Sequence, residues 1–165
     1  IFNKNFENSN NMYSLWEARD LIDDEFVCIY GDLFFHKKIL ENCVISNSDI
    51  VLVVERNTRD ETMRVKIENE KIVKVNKKID SKNTDGNFIG MAKFSKNSKN
   101  HLFQTIKKLM EEGNEDAYYT SAIENMIKQG KTIDFIETEG LPWTDIDTKE
   151  ELEAIRKLDK ELGDR

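Results

Sequence analysis

An aspartate follows a short, continuous apolar run of the chain. Residues 26–30 read Phe-Val-Cys-Ile-Tyr, and Gly31 and Asp32 end the run. The run is too short for a helix and has no polar face, which predicts a strand buried on both sides. Ligands of open α/β sheets bind beyond the carboxyl ends of the strands. A carboxylate there suits a hard cation, and a glycine lets a ligand approach the backbone. The other interpretation is a loop aspartate that starts a turn.

A second acidic pair lies near the end of the chain. Residues 142–148 read Pro-Trp-Thr-Asp-Ile-Asp-Thr, so Asp145 and Asp147 are two residues apart. In an extended segment, side chains at this spacing point to the same side. Together with Asp32 they could bind one cation, because Mg²⁺ needs only one or two protein carboxylates when substrate phosphates and water supply its other ligands. The alternative is that both aspartates only cap the next helix and solvate the loop.

Length and composition predict one soluble globular domain over residues 1–165. Hydrophobic residues make up 38%, charged residues 35%, and the net charge is −7. This acidic, interspersed charge argues against a nucleic-acid partner. There is no apolar run of membrane-spanning length and no signal-peptide pattern, so we expect no membrane partner and a cytoplasmic location. The two cysteines, Cys28 and Cys43, are predicted to be free thiols.

Apolar runs and helix-period segments alternate along the chain. Strands are predicted at 26–30, 49–55, 88–94 and 132–137, and helices at 12–21, 37–44, 98–112, 116–129 and 149–162. This order predicts an α/β fold with an open, mostly parallel, Rossmann-like sheet and helices on both faces. Residues 64–79 alternate instead, which predicts a β-hairpin that protrudes from the core and covers a site. Residues 58–62 read as a polar loop.

Five stretches together carry a resemblance to a known family. They are Asn-Asn-Met-Tyr-Ser-Leu at 10–15, Tyr-Gly-Asp at 30–32, the lysine-rich hairpin exit at 71–78, the strand with Gly90, and Trp-Thr-Asp-Ile-Asp-Thr at 143–148. In this order they resemble the nucleotidyltransferase superfamily, nearest the small cytidylyltransferases that act on phosphocholine or phosphonates. Some of those enzymes are fused to phosphoenolpyruvate mutase.

The resemblance runs nearly end to end but lacks one part of the family pattern. The family has a Gly-rich nucleotide-binding loop, a basic catalytic residue and a first strand in an N-terminal segment. This chain begins at Ile1 without that segment. We therefore assign no catalytic residue, and we expect the first strand or strands of the sheet to be missing from this chain.

The resemblance implies an Mg²⁺-dependent nucleotidyltransferase of EC 2.7.7 type. An oxygen of a small phosphate or phosphonate acceptor, such as phosphocholine or 2-aminoethylphosphonate, would attack the α-phosphorus of a nucleoside triphosphate, usually CTP, and pyrophosphate would leave. Asp32 and Asp145 would hold Mg²⁺, with Asp147 as a further ligand or a support. Lys77 and Lys78, of which we prefer Lys78, could contact phosphate or acceptor as they leave the hairpin, or only solvate it. A homodimer and a fused phosphoenolpyruvate mutase domain are further expectations.

Four more residues are predicted to contact substrate. Asn11 and Ser14 could line the base or acceptor pocket, or serve only as caps at a helix N-terminus. Tyr118 and Trp143 could meet a cationic amine of the acceptor through their ring faces, or could pack in the core.

Three other functions stay open at this point. A non-catalytic binding or regulatory domain could keep the fold without turnover, and a related enzyme could transfer nucleotides to sugar phosphates. A phosphatase-like Mg²⁺ hydrolase would need a second aspartate two residues after the first. Asp32 is followed by Leu33 and Phe34, which argues against that class.

Overall fold

The chain forms a six-stranded sheet with helices on both faces and a separate two-stranded sheet. The computed structural model describes residues 1–57 and 63–163, and only the backbone of 157–163. The loop predicted at 58–62 lies outside the described residues. The strands are β1 Phe26–Ile29, β2 Leu33–Phe35, β3 Ile50–Glu55, β4 Arg64–Glu68, β5 Lys71–Asn76, β6 Gly86–Phe94, β7 Asp134–Glu137 and β8 Trp143–Asp145. The α-helices are α1 Asn11–Glu17, α2 Lys37–Ile45, α3 Lys96–Glu111, α4 Thr120–Lys128 and α5 Lys149–Gly163.

The strands of the main sheet mostly run in one direction. Their order is β5-β4-β6-β3-β7, and β1 also pairs with β6. Since β1, β3 and β4 each pair antiparallel with β6, and β7 pairs parallel with β3, these four strands share a direction. Strand β6 runs against them, as does β5. The α/β fold with a mostly parallel sheet is therefore confirmed, but β6 separates β1 from β3, so the pairings at β6 are antiparallel.

The centre of the sheet is β6 and not β1. All nine residues of β6 and all six of β3 are buried. Strand β1 is only half-buried, and Ile29 is 37% exposed. Within the part of the chain that the structure describes, β1 pairs with β6 alone. The prediction that β1 is buried on both sides is therefore wrong, because an apolar run does not by itself reveal how many neighbours a strand has.

The two faces of the sheet are covered by different helices. Leu52 and Val54 of β3 join a core with α1, α3 and α4, whereas Val53 joins a second core with α2. Successive side chains of a strand point to opposite faces, so this alternation places the helices on both sides. The second core also contains Trp143 of β8, which fixes the two-stranded sheet beside that face.

The predicted hairpin is present as β4 and β5. Its two-residue turn has positive φ at Asn69 (49°) and Glu70 (58°), the backbone of the turn that suits the twist of paired strands. The hairpin extends the edge of the sheet rather than protruding from it: Val75 is fully buried, and the Ile72 amide donates to the Ile133 carbonyl at 2.9 Å. Its exit still reaches the candidate site.

Helix ends differ from the prediction by a few residues. The first helix is shorter than predicted and is followed by a 3₁₀ turn at Arg19–Leu21. Helix α3 is capped by the Ser95 hydroxyl and α4 begins at Thr120. The paired strands β2 and β8 were not predicted. Among the described residues, no helix has both the length and the apolar character to cross a membrane.

Candidate active site

A cleft of about 720 Å³ opens at the end of β1. Its walls come from the start of α1, the segment after β1, the exit of the hairpin, the residues before α4, and the β8 segment. Of the predicted site residues, those that line it are Asn11, Ser14, Asp32, Tyr118, Trp143, Asp145 and Asp147. The structure thus brings together side chains from distant parts of the chain, whose binding roles stay predictions.

Two of the three aspartates are held next to each other by backbone pairing. In the β2–β8 ladder Leu33 lies opposite Asp145, and the amide of Ile146 donates to the carbonyl of Asp32 at 2.9 Å. Asp32 therefore lies directly before β2, next to Asp145 at the end of β8. Asp32 also lies in a turn, in which the Leu33 amide donates to the Tyr30 carbonyl at 3.3 Å, so the alternative of a turn aspartate stays open.

Asp147 is fixed by the start of α5. Its amide donates to the Glu151 carboxylate at 2.9 Å, and the Glu151 amide donates to the Thr148 hydroxyl at 3.2 Å. The Thr148 amide also donates to the Glu151 carboxylate, at 2.8 Å; this bond and the one to the Thr148 hydroxyl form a capping box, which holds the first turn of the helix. The hydrogen bonds to its carboxylate also lower the pKa of Glu151. The Asp147 amide thus donates to the same carboxylate, and the residue also lines the cleft.

The aspartates do not form a ready three-carboxylate centre. Among the described side chains, those of residues 1–57 and 63–156, no three of Asp, Glu, His or Cys are grouped so that they could hold a metal ion. The described lining has three carboxylates and one ammonium group, that of Lys77. An oxygen-only donor set suits Mg²⁺, which takes one or two protein carboxylates and completes its ligands with phosphate and water. The donor chemistry of Asp32 and Asp145 therefore fits this ion.

The floor of the cleft is aromatic and uncharged. The ring of Tyr30 meets those of Phe88 and Tyr119 edge-on, with centroids 5.9 and 5.8 Å apart. Burial raises the pKa of both tyrosines and raises the pKa of the Cys28 thiol to about 11. All three groups are therefore neutral near pH 7. Such a floor can hold the apolar face of a ligand but supplies no charge to it.

Asn11 and Ser14 combine a structural role with their place in the cleft. The Asn11 side-chain oxygen accepts from the Tyr119 amide at 2.9 Å, so it ties α1 to the start of α4. The Ser14 hydroxyl accepts from the Asn3 side chain at 3.1 Å. Helix α1 is capped by Asn10. Capping by Asn11 or Ser14 was the alternative interpretation, and Asn11 serves instead as a link between two helices.

Lys77, and not Lys78, lies in the wall of the cleft. The Lys77 ammonium donates to the Tyr118 hydroxyl at 3.2 Å and lies 4.7 Å from the centre of that ring. This contact lowers the pKa of Tyr118. Lys78 is absent from the lining, and its amide donates to the Asn76 side chain at 2.8 Å. The preference for Lys78 is therefore corrected: Lys77 is the lysine that contacts Tyr118 in the cleft wall.

Trp143 is nearly buried at the cleft edge, with 6% of its surface exposed. Its indole N–H donates to the Glu55 carboxylate at 3.3 Å. Glu55 and Tyr30 were not predicted as site residues. Glu55 ends a strand whose other residues are all apolar, and this is the one local signal for it in the sequence. A charged residue at that position would ordinarily be expected to be exposed. Gly31 has no close neighbour that a Cβ would touch, so protein packing alone does not require glycine there.

Comparison with known proteins gives matches in structure only. No family model matches the chain, and no curated protein is detectably similar in sequence. Among solved structures, the inositol-1-phosphate CTP transferase from T. maritima matches with a TM-score of 0.71 and 21% identity, over 90% of this chain and 60% of that one. A candidate glucose-1-phosphate thymidylyltransferase from Bacillus anthracis, in complex with sucrose, matches with 0.70 and 19%, over 91% and 61%.

The CTP:phosphocholine cytidylyltransferase from Streptococcus pneumoniae matches with a TM-score of 0.70 and 18% identity, over 96% of this chain and 67% of that one. The chain thus spans about three fifths to two thirds of the length of these proteins. At such identities the matches establish the fold. The chain has the fold of nucleotidyltransferases, as the resemblance implied.

Proposed function

We propose that this chain is part of an Mg²⁺-dependent nucleotidyltransferase that joins CTP to a small phosphate or phosphonate acceptor. Two proteins of the same fold are named for CTP-dependent transfer to inositol 1-phosphate and to phosphocholine. The acceptor class of choice is phosphocholine or 2-aminoethylphosphonate. A cytoplasmic location, a homodimer and a fused phosphoenolpyruvate mutase domain stay predictions.

The observation that carries the proposal is the pairing of Asp32 with the β8 segment. The 2.9 Å hydrogen bond between the Ile146 amide and the Asp32 carbonyl fixes two acidic residues, distant in sequence, at one cleft. Neither Asp32 nor Asp145 belongs to the apolar core beside the cleft. A site that binds a cation gives them a purpose.

In the proposed reaction Asp32 and Asp145 would hold Mg²⁺, and Asp147 would support the site. The bound ion would neutralise charge on the phosphates as the α-phosphorus is attacked. An acceptor oxygen forms the new bond to the α-phosphorus, the bond from that phosphorus to its bridging oxygen breaks, and pyrophosphate leaves with that oxygen. The chain's own residues mainly position the reactants, which is most of what phosphoryl-transfer enzymes contribute.

Two groups in the cleft suit the acceptor. Lys77 supplies the one positive charge of the described lining, where it could meet a phosphate oxygen. Tyr118 could offer a ring face to a cationic amine, a contact of about 0.5–2 kcal/mol. Trp143 is 6% exposed and packs in the second core, so it has little ring face to offer. Because Lys77 already lies on the Tyr118 ring, an acceptor amine would have to share or displace that contact. We assign triphosphate binding to none of the described residues.

A sugar-phosphate nucleotidyltransferase is the second candidate. It is favoured by the structural match to the candidate thymidylyltransferase. A non-catalytic domain of the same fold is the third. The three differ in turnover: the first uses a phosphorylated amine, the second uses a sugar phosphate, and the third uses neither.

The test measures pyrophosphate release by the full-length protein. Each nucleoside triphosphate is supplied with phosphocholine, 2-aminoethylphosphonate, inositol 1-phosphate or glucose 1-phosphate, at a series of Mg²⁺ concentrations. We expect release with CTP and a phosphorylated amine. No release with any pair contradicts the enzyme, and release only with a sugar phosphate replaces the acceptor.

Single substitutions then test the aspartates. Asp32→Asn and Asp145→Asn keep the size of the side chain but remove its charge. We expect each to lower kcat/KM by about 10²–10³-fold, the usual cost of losing one group that stabilises transition-state charge. Asp23→Asn, at an exposed position away from the cleft, is the matched control and should leave the rate unchanged. Normal turnover by Asp32→Asn would rule out its metal role.

A further inference from the structure

A buried carboxylate stands behind the cleft, at the end of β3. Glu55 is 8% exposed. One of its oxygens accepts from the Thr138 hydroxyl at 2.6 Å and from the Trp143 indole N–H at 3.3 Å, and the other accepts from the Asn57 amide at 2.8 Å. Carboxylates are almost never buried unless they are paired or hydrogen-bonded in this way. These hydrogen bonds help to hold the carboxylate inside the protein.

The partners of Glu55 belong to three different segments. Thr138 follows β7, and its amide donates to the carbonyl of Val54 in β3 at 3.0 Å. Trp143 is the first residue of β8. One carboxylate thus joins the ends of β3 and β7, which belong to the main sheet, to the first residue of a strand outside that sheet.

The strand that Glu55 anchors carries an acidic residue of the candidate site. Asp145 is two residues after Trp143 in β8. Strand β8 pairs with β2 through three residues on each side, and the described residues give this two-stranded sheet no third strand. So short a pair has little stability of its own, and its position depends on what it packs against. Trp143 provides that packing through the second core, and Glu55 fixes the indole by its hydrogen bond.

We propose that Glu55 is a positioning residue for the metal site: its buried carboxylate holds Trp143, and through β8 it sets where Asp145 lies in the cleft. Glu55 is not in the cleft lining and need not touch substrate or ion. This inference rests on the proposed function, because it gives Glu55 a role in binding the ion that Asp32 and Asp145 would hold. Residues that orient a ligand in this indirect way typically change metal affinity by 10–100-fold when they are replaced.

The test measures Mn²⁺ binding rather than turnover. In full-length protein with Trp16→Phe, Trp143 is the one indole of residues 1–165, and its N–H signal can be followed by NMR. Since Trp143 lines the cleft with the aspartates, bound Mn²⁺ should broaden that signal. We expect Glu55→Gln, in which an amide NH₂ replaces one acceptor oxygen, to raise the Mn²⁺ concentration for half-maximal broadening about tenfold. The indole signal should also shift before Mn²⁺ is added.

Two further variants make the test specific. Thr138→Val removes one donor to Glu55 without touching Trp143, and it should weaken Mn²⁺ binding in the same direction, so the test survives if Glu55→Gln does not fold. Glu137→Gln is the matched control: Glu137 lies at the end of β7 and is paired with Arg56 at 2.8 Å, with both side chains 41% exposed. It should bind Mn²⁺ like the wild type.

The outcomes separate this inference from the proposed function. If Asp145→Asn weakens Mn²⁺ binding while Glu55→Gln and Thr138→Val lower only the melting temperature, the positioning role is wrong and the metal site stands. If the wild type does not bind Mn²⁺, or Asp145→Asn binds it unchanged, the proposed metal site fails and the role of Glu55 fails with it.

Discussion

At the scale of single residues, the shape of the cleft floor depends on Gly90. This residue of β6 has φ of +94°, and a Cβ built on it would lie 2.4 Å from the Tyr30 ring. The Gly90 carbonyl also accepts from the Tyr30 amide at 2.9 Å. Glycine thus allows the ring of Tyr30 to lie directly on the backbone of the central strand. The residues that follow Tyr30 lead to Asp32, so this contact helps to place the acidic end of β1.

We predict that Gly90→Ala destabilises the protein more than an equivalent change elsewhere. A non-glycine residue at positive φ costs about 1–2 kcal/mol, and overpacking against the Tyr30 ring adds about 1–3 kcal/mol. Urea denaturation followed by circular dichroism measures the loss in the free energy of unfolding. Gly113→Ala is the control, because Gly113 has φ of +82° but no atom within 4 Å of an added Cβ. Equal losses in the two variants would show that the ring contact is unimportant.

At the scale of the elements, a lysine from the sheet holds the end of a helix. Lys93 of β6 is 6% exposed. Its ammonium donates to the carbonyls of Val44 and Ser46 at 2.8 and 2.9 Å, and it lies 3.4 Å from the Glu25 carboxylate. The last carbonyls of a helix lack partners within the helix, and a positive charge there is favourable. Lys93 therefore joins α2 to the central strand.

Replacing Lys93 should weaken the attachment of α2 to the central strand β6. We expect Lys93→Met, which keeps the aliphatic stem, to lower the free energy of unfolding by about 2 kcal/mol, because two carbonyls at the helix end lose a charged donor. The measurement is chemical denaturation at neutral pH.

Lys96→Met is the matched control for this prediction. Lys96 pairs with Asp24 at 3.5 Å, but both side chains are more than 60% exposed. A pair so exposed to solvent contributes little, so the control should lose much less stability. If the two variants lose the same amount, Lys93 does not hold the helix end in the way described.

At the scale of the whole molecule, the cleft depends on attachments between segments that are distant in sequence. The hairpin is one of them. Glu124 of α4 accepts from the Val75 amide at 3.2 Å and from the Asn76 side chain at 2.5 Å. Lys77 follows directly and enters the cleft wall beside Tyr118, which precedes α4. One helix thus organises both sides of the Lys77–Tyr118 contact.

Removing this attachment should loosen the hairpin exit. We predict that Glu124→Ala lowers the free energy of unfolding by about 1–2 kcal/mol, because the amide of Val75 loses its acceptor. The rate of hydrogen exchange at the Val75 amide should increase more than the rates at the amides of β3. Glu124→Gln keeps an acceptor oxygen and should restore most of the protection. Unchanged exchange at Val75 in Glu124→Ala would contradict the attachment.

Much of this architecture could be predicted from the sequence because its signals are local. The strands at 50–55 and 134–137, the helices α2 and α3 and the hairpin all follow from apolar periodicity and turn residues. Asp32 stood out because it follows an apolar run, and Asp145 because a second aspartate lies two residues later. Strands β2 and β8 gave no such signal, since three residues cannot show a period. Their hydrogen bonds form only when the two segments meet.

The sequence by itself determined the fold class, the presence of the hairpin and the choice of Asp32 and Asp145 as candidate site residues. Each of these was read from patterns that extend over only a few neighbouring residues along the chain. Only the tertiary structure decided that β6 is the central strand, that Lys77 rather than Lys78 enters the cleft, and that Glu55 lies buried behind it. These outcomes depend on contacts between residues far apart in sequence. The strength of such a contact is set by which surfaces are brought together, and no single segment contains that information.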